Sequence, residues 1–280
     1  MENCSSGSCG TTTIKDPKTD PELKVKASLG KIKNKIMVMS GKGGVGKTSV
    51  SVNIAIALAN KGYKVGLMDV DIHGPDIPRV LGLEGLLDVN SNQKLAPMAY
   101  SKNLSAVSIE SLIINKDDAI IWRGPMKYQA IQQFIGDVEW GELDYLIIDA
   151  PPGTGDEPLT VAQMVNDARA IIVTTPQEVS LADVRKSISF CKTVNMEIAG
   201  LVENMSGYTC PHCGEPVDLF GSGGGKRTAE AAGIPFMGKI PFDPNLVSCG
   251  DNGVSYQEKY TDSMATKVFA QLAAKVAEAL

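Results

Sequence analysis

Residues 41–48 read Gly-Lys-Gly-Gly-Val-Gly-Lys-Thr, four glycines in eight positions closed by a lysine and a threonine. Few octapeptides restrict a fold as strongly. The pattern satisfies G-x-x-x-x-G-K-S/T, in which glycines let the backbone curl until its N–H groups converge on an anion. A short apolar run at 35–40 precedes it, and Val50, Ile54, Ala57 and Leu58 follow at helical spacing as far as Gly62. Strand, loop and helix thus come in the order a phosphate-binding loop needs, with the helix N-terminus adding a favourable dipole. Gly41, Gly43, Gly44, Val45 and Gly46 are expected to wrap the phosphates of ATP, with Ser49 lining the same site. Lys47 reaches for the β- and γ-phosphates as a catalytic cation, and Thr48 offers its hydroxyl to Mg2+.

Further strand-like runs lie at 64–70, 104–109, 145–148, 170–174, 197–202 and 235–240, with helical patterns between most of them. Val184, Ile188 and Cys191 form one apolar stripe; Met264, Val268, Leu272, Val276 and Leu280, spaced by four, form another. Alternation of this kind predicts an α/β fold, a three-layer P-loop arrangement whose mostly parallel sheet is covered by helices on both faces. Residues 1–33, rich in Ser, Gly, Thr and mixed charge, are expected to be a flexible tail apart from a short helix over 23–29. One domain then runs over 34–280 and includes a loop at 208–217.

The net charge of −5, with no stripe of Lys and Arg, argues against a nucleic-acid partner. No apolar run approaches the roughly 20 residues of a membrane helix, and the first 13 residues carry no basic or apolar leader. A cytoplasmic chain with no membrane partner is the expectation.

Two acidic segments supply what the glycine loop lacks. Residues 66–71 end a strand on Asp69 and Asp71, which share one face at the carboxyl edge where parallel sheets bind ligands. The alternative is that this pair merely caps the turn at His73-Gly74. Residues 144–156, Asp-Tyr-Leu-Ile-Ile-Asp-Ala-Pro-Pro-Gly-Thr-Gly-Asp, form an apolar strand ending on Asp149 and then a Pro-Gly turn. Asp149 is placed to hold Mg2+ through water, and the Gly153 N–H to sense the γ-phosphate.

Six cysteines in a cytoplasmic chain do not read as a disulfide framework. Cys210 and Cys213, in Cys-Pro-His-Cys, lie close enough to bite one metal but supply half of a four-ligand shell. A two-fold dimer would duplicate the pair. Zinc across such a dimer and a redox dithiol remain open, with His212 as a loop filler. Cys191 reads as a buried small hydrophobe, Cys249 stands alone in a loop, and Cys4 and Cys9 belong to the tail.

Lys42 makes the loop K-G-G-V-G-K-T, which resembles the MinD/ParA/nitrogenase-iron-protein class of P-loop ATPases. The resemblance implies a catalytic Lys42 that reaches across a dimer to the other subunit's nucleotide, Asp71 beside the attacking water, and Asp69 in the metal shell. Added to these are the segments at 71–78, 122–126, 149–156, 175–177, 203–206 and 240–244 and the Cys-Pro-His-Cys pair. Together they resemble the Mrp/ApbC group of cytosolic iron–sulfur cluster carrier ATPases over roughly residues 30–280. That resemblance implies a homodimer, ATP hydrolysis, and a 4Fe-4S cluster delivered to apo iron–sulfur proteins, with Asn204, Pro241 and Phe242 holding the adenine. Asp76, where serine is usual, and Phe242, where leucine is usual, are departures assigned to positions away from the phosphates. Two tail cysteines stand where some eukaryotic relatives have four. The rival is a MinD/ParA-like ATP switch without iron–sulfur cargo, bridged by zinc or positioned on a membrane or DNA. Its feature would be an amphipathic C-terminal membrane helix, and the Ala-, Val- and Leu-rich final helix fits packing better.

Overall fold

The computed structural model describes residues 20–71, 74–91, 93–112, 124–210 and 212–279. Cys4, Cys9, His73, Leu280 and the first two residues of the 122–126 segment lie outside them. The chain opens with helix α1 (Pro21–Leu29), capped where Asp20 accepts the Glu22 N–H at 3.0 Å, and enters β1 (Ile32–Ser40). There follow α2 (Lys47–Asn60), β2 (Val65–Asp69), α3 (Ile77–Leu81), β3 (Met98–Ser101), β4 (Leu104–Ser108) and a 3-10 turn. Next come α4 (Gly124–Gly136), β5 (Leu143–Asp149), α5 (Asp156–Met164), β6 (Arg169–Thr174), α6 (Glu178–Thr193) and β7 (Ile198–Glu203). A two-stranded ribbon, β8 (Tyr208–Thr209) and β9 (Pro216–Val217), precedes α7 (Gly224–Ala232), β10 (Phe236–Lys239), α8 (Pro244–Asp251), α9 (Tyr256–Lys259) and α10 (Met264–Ala279).

The main sheet has the order β10-β7-β6-β1-β5-β2-β4-β3, parallel throughout except for β3 against β4. Its strands read as unbroken apolar runs because both faces are covered. In β1, Met37 and Met39 enter a core with Phe134 of α4, Val161 of α5 and Val184 of α6. Ile36 and Val38 enter the opposite core with Ile54 of α2 and Phe269 of α10. Each apolar run expected from the sequence coincides with a strand. β3 and the β8/β9 ribbon were not expected; both are short, half exposed and antiparallel, with no run of buried residues to announce them.

Three expectations need correction. The folded domain starts before residue 34, because α1 packs on α4 and buries Val25 and Leu29, and Ile32 already belongs to β1. Cys249 lies within α8, buried, rather than in a loop. The face of α10 that packs is Ala265, Phe269, Leu272, Ala273 and Val276, whereas Met264 is 67% exposed. A strict four-residue step advances about 40° beyond a full turn each time, so such a stripe drifts off the buried face.

Parallel register brings the functional strand ends together. Val38 and Asp69 both pair with Asp149, so β1, β5 and β2 finish side by side at the carboxyl edge. Phe269→Ala is expected to cost about 3–5 kcal/mol, while Met264→Ala stays within about 0.5 kcal/mol, both read from urea denaturation midpoints. Equal costs would mean that the packed face of α10 is misassigned.

Candidate nucleotide site and cysteine ribbon

The glycine loop is held from two sides. Gly46 has φ 78°, and a Cβ there would lie 2.3 Å from Asn204 Nδ2. That amide donates to Val45 O at 2.9 Å, while the Asn204 N–H donates to Thr174 O at 2.7 Å. On the other side α6 crosses so closely that a Cβ on Gly41 would sit 2.3 Å from the Asp183 carbonyl carbon. Lys42 is half-buried, its carbonyl accepting from Ser40 Oγ at 2.9 Å.

Below the loop is a buried charge cluster. Lys47 Nζ pairs with Asp149 Oδ2 at 2.8 Å, with side-chain exposures of 6% and 1%. Thr48 Oγ1 donates to the same oxygen at 2.7 Å, and Ser51 Oγ to Oδ1 at 2.6 Å. Asp69 lies alongside, accepting from Asp71 N at 3.1 Å, Ile77 N at 3.3 Å and Ser108 Oγ at 3.1 Å. Burial, followed by the neighbouring Asp149 carboxylate, pushes the Asp69 carboxyl well above the usual carboxylate range, against the pull of Lys47 and the two N–H groups. Asp71 is buried at the same strand end. What Asp69 caps is therefore its own strand end and the start of α3. Thr48, Asp69 and Asp149 present only oxygens, two of them carboxylates, a donor set that suits a hard divalent cation sharing its shell with phosphate oxygens.

The Gly153 N–H donates to Ser40 O at 2.8 Å. In this arrangement it is committed to the end of β1. A phosphate contact there requires the 150–156 turn to shift.

From the loop a cavity of about 400 Å³ opens past Gly44, Gly46, Thr48 and Ser49 to Asn204, Pro241 and Phe242, and ends on Leu246 and Val247 of α8. Its lining mixes the loop's N–H and hydroxyl groups with the apolar side chains of Val80, Leu246 and Val247 and the carboxylates of Asp243 and Asp251. Asn204, Pro241 and Phe242 thus share one cavity wall with the loop. Asp76 and Arg79 line it as well. Partial burial raises the Asp76 carboxyl, Arg79 lowers it, and Glu110 and Asp149 raise it further. The local pattern marks Asp76 as a departure but gives neither Asp76 nor Arg79 a cavity role, because the wall forms only when α3 folds across α8.

Cys210 and Cys213 lie in the turn of the β8/β9 ribbon. The Cys210 N–H donates to Glu215 O at 3.0 Å, and the Gly214 N–H donates to Cys210 O at 2.8 Å. The N–H groups of Cys213 and His212, then the Cys213 thiol, lower the Cys210 thiol below its ordinary value of 9.0. Backbone donors aimed at one sulfur are what a thiolate ligand requires. Among the described residues no cluster of three or more His, Cys, Asp or Glu gathers for a metal, so one chain brings two sulfurs there. Cys191 is buried against Met39, its thiol raised to about 11 by burial, as a packing residue would be.

Residues 31–277 match the ParA family model described as NUBPL iron-transfer P-loop NTPase. The chain belongs to this family. Among its P-loop NTPase relatives, the cytosolic Fe-S cluster assembly factor NUBP2 homolog of Dictyostelium discoideum is 51% identical over 241 residues, covering 84% of this chain and 91% of that protein. The iron-sulfur cluster carrier protein of Methanocaldococcus jannaschii is 43% identical over 286 residues, 99% of this chain and 98% of that one. A nucleotide-binding protein from Archaeoglobus fulgidus, solved in complex with ADP, superposes with a TM-score of 0.73 at 41% identity, covering 83% of this chain and 91% of that chain. The cell-division ATPase MinD of Pyrococcus furiosus shares the fold alone, with a TM-score of 0.64 at 22% identity.

Alkylation by iodoacetamide, quantified site by site, tests the ribbon. A lowered thiol value means more thiolate at a given pH. The Cys210 rate should therefore rise with a midpoint below 9.0, while Cys191 stays unmodified until the protein unfolds. A Cys210 midpoint at or above the ordinary value would remove the case for a preformed thiolate site.

Proposed function

We propose that this chain hydrolyses ATP as a homodimer in the cytoplasm and carries a 4Fe-4S cluster across two cysteine ribbons, for delivery to apo iron–sulfur proteins. The observation that carries the reading is the ribbon itself. Two sulfurs, one favoured as a thiolate, occupy an accessible turn on a P-loop domain whose relatives bear the names of cluster carriers and assembly factors. A second copy completes four cysteines. No helix among the described residues is long and apolar enough to cross a membrane.

At the nucleotide, each side chain has a task set by its place. Triphosphate entering the loop competes with Asp149 for Lys47 and Thr48, so the buried pair opens as the anion binds. Lys47 then neutralises the β- and γ-oxygens. Thr48, Asp149 and Asp69 are the groups that would hold Mg2+, which supplies charge neutralisation for the transferring phosphoryl group. Asp71, at the strand end nearest that cluster, orients the attacking water. Lys42 reaches the partner's nucleotide and stabilises charge there in trans, which links nucleotide state to the dimer interface.

Anaerobic reconstitution with iron and sulfide should give about four irons per dimer and broad visible absorption. Both are lost in Cys210→Ala/Cys213→Ala. Zinc in place of iron, or iron retained by the double variant, overturns the cargo assignment. Lys42→Ala should lower ATP turnover at least about 100-fold while nucleotide still binds; full turnover would remove the trans role.

A further inference from the structure

The nucleotide cavity and the cysteine ribbon share a residue. Phe242 lines the cavity. Its ring also meets Tyr208, the first residue of β8, with centroids 5.9 Å apart and planes at 62°. On another side it meets Phe220, at 6.0 Å and 74°. Tyr208 precedes Cys210 by two residues, and Phe220 follows β9. Both arms of the ribbon therefore rest on one ring, in the edge-on geometry that aromatic pairs favour.

The backbone around this seat is tied down. The Phe242 N–H donates to Gly207 O at 2.8 Å, and the Ser206 N–H to Ile240 O at 2.9 Å. Glu203, fully buried at the end of β7, accepts from the Gly223 N–H at 2.9 Å, from the Gly225 N–H and from the Ser206 hydroxyl. One carboxylate thus closes both roots of the segment that carries the ribbon. The run from Asn204, which holds the phosphate loop at Val45 O, to Tyr208 is five residues long. Within it Met205 adopts φ 54°, a conformation a methionine keeps only where its surroundings impose it. With its roots fixed, the ribbon meets the domain through the aromatic seat on Phe242.

We propose that Phe242 is a positioning residue for Cys210 and Cys213, and that the base of a bound adenine nucleotide, packed against its ring, sets the pose of the ribbon in the same chain. The proposal rests on reading the cavity as the nucleotide site. It differs from the role of Lys42, which acts on phosphate and across the dimer interface. In the proposed pose the base packs on Phe242 while the phosphates sit in the glycine loop, so the base carries the effect and the phosphates do not.

The test is site-resolved iodoacetamide alkylation of Cys213 in the cluster-free full chain, with Mg-ADP, with Mg-pyrophosphate, or with neither. Mg-ADP should slow Cys213 alkylation about fivefold, the lower end of usual coupling between two sites, and pyrophosphate should not. In Tyr208→Leu/Phe220→Leu, neither of which lines the cavity, ADP affinity by calorimetry should hold while the protection disappears. Cys210 should keep its wild-type pH profile in that variant, which shows that the turn is intact. Phe242→Leu should weaken the protection while leaving an apolar cavity wall. Equal protection in wild type and the double leucine variant, or protection by pyrophosphate alone, overturns the relay. Failure of ADP to bind at all overturns the cavity assignment together with it, and iron content reports separately on the cargo.

Discussion

The carboxylate of Asp149 is the contact on which the rest of the site depends. It is almost fully buried, pairs with Lys47, and has one oxygen filled by Thr48 and the other by Ser51. Removing two charges from water is costly unless such hydrogen bonds complete the pair, and losing one partner of a buried pair costs about 3–5 kcal/mol. The glycines permit the loop to curl, but this pair and the Asn204 contact to Val45 select which curl it adopts. Parallel register makes the arrangement possible, since β5 inserts between β1 and β2 and so places Asp149 beside Asp69 and under the loop.

How much of this could be read from the sequence followed from how local each feature is. The strands were legible because a strand buried on both faces must be apolar at every position, as residues 36–39 are. The phosphate loop and Asp149 were legible because their chemistry sits within one or two adjoining elements. Helix α1 was partly hidden, since its composition is that of a solvated segment and its burial rests on Val25 and Leu29 meeting α4. Asp76 and Arg79 were not legible as cavity residues, because the opposing wall comes from α8, far along the chain. The Gly153 N–H bond was hidden for a related reason: its acceptor, Ser40 O, lies at the end of another strand.

The carboxyl end of β7 joins the two chemistries. Glu203 fixes both roots of the ribbon, and the next residue, Asn204, supports the phosphate loop. Two consecutive side chains thus point to different sites, as alternation along an extended chain requires. Such an arrangement keeps a thiol turn beside a phosphate loop without a separate domain, because the sheet edge that positions one positions the other.

Under the proposed bridging of a cluster by two copies of the chain, the two-sulfur turn has a consequence for cargo retention. A chain that holds half a ligand shell holds its cargo only as firmly as it holds its neighbour. Occupancy then depends on protein concentration as well as on affinity, by mass action. Dilution alone would loosen the cargo with no change in any bond within the chain, and a crowded or locally enriched pool would keep it. Release would be governed by encounter and separation of protomers, a kinetic property that no isolated chain possesses.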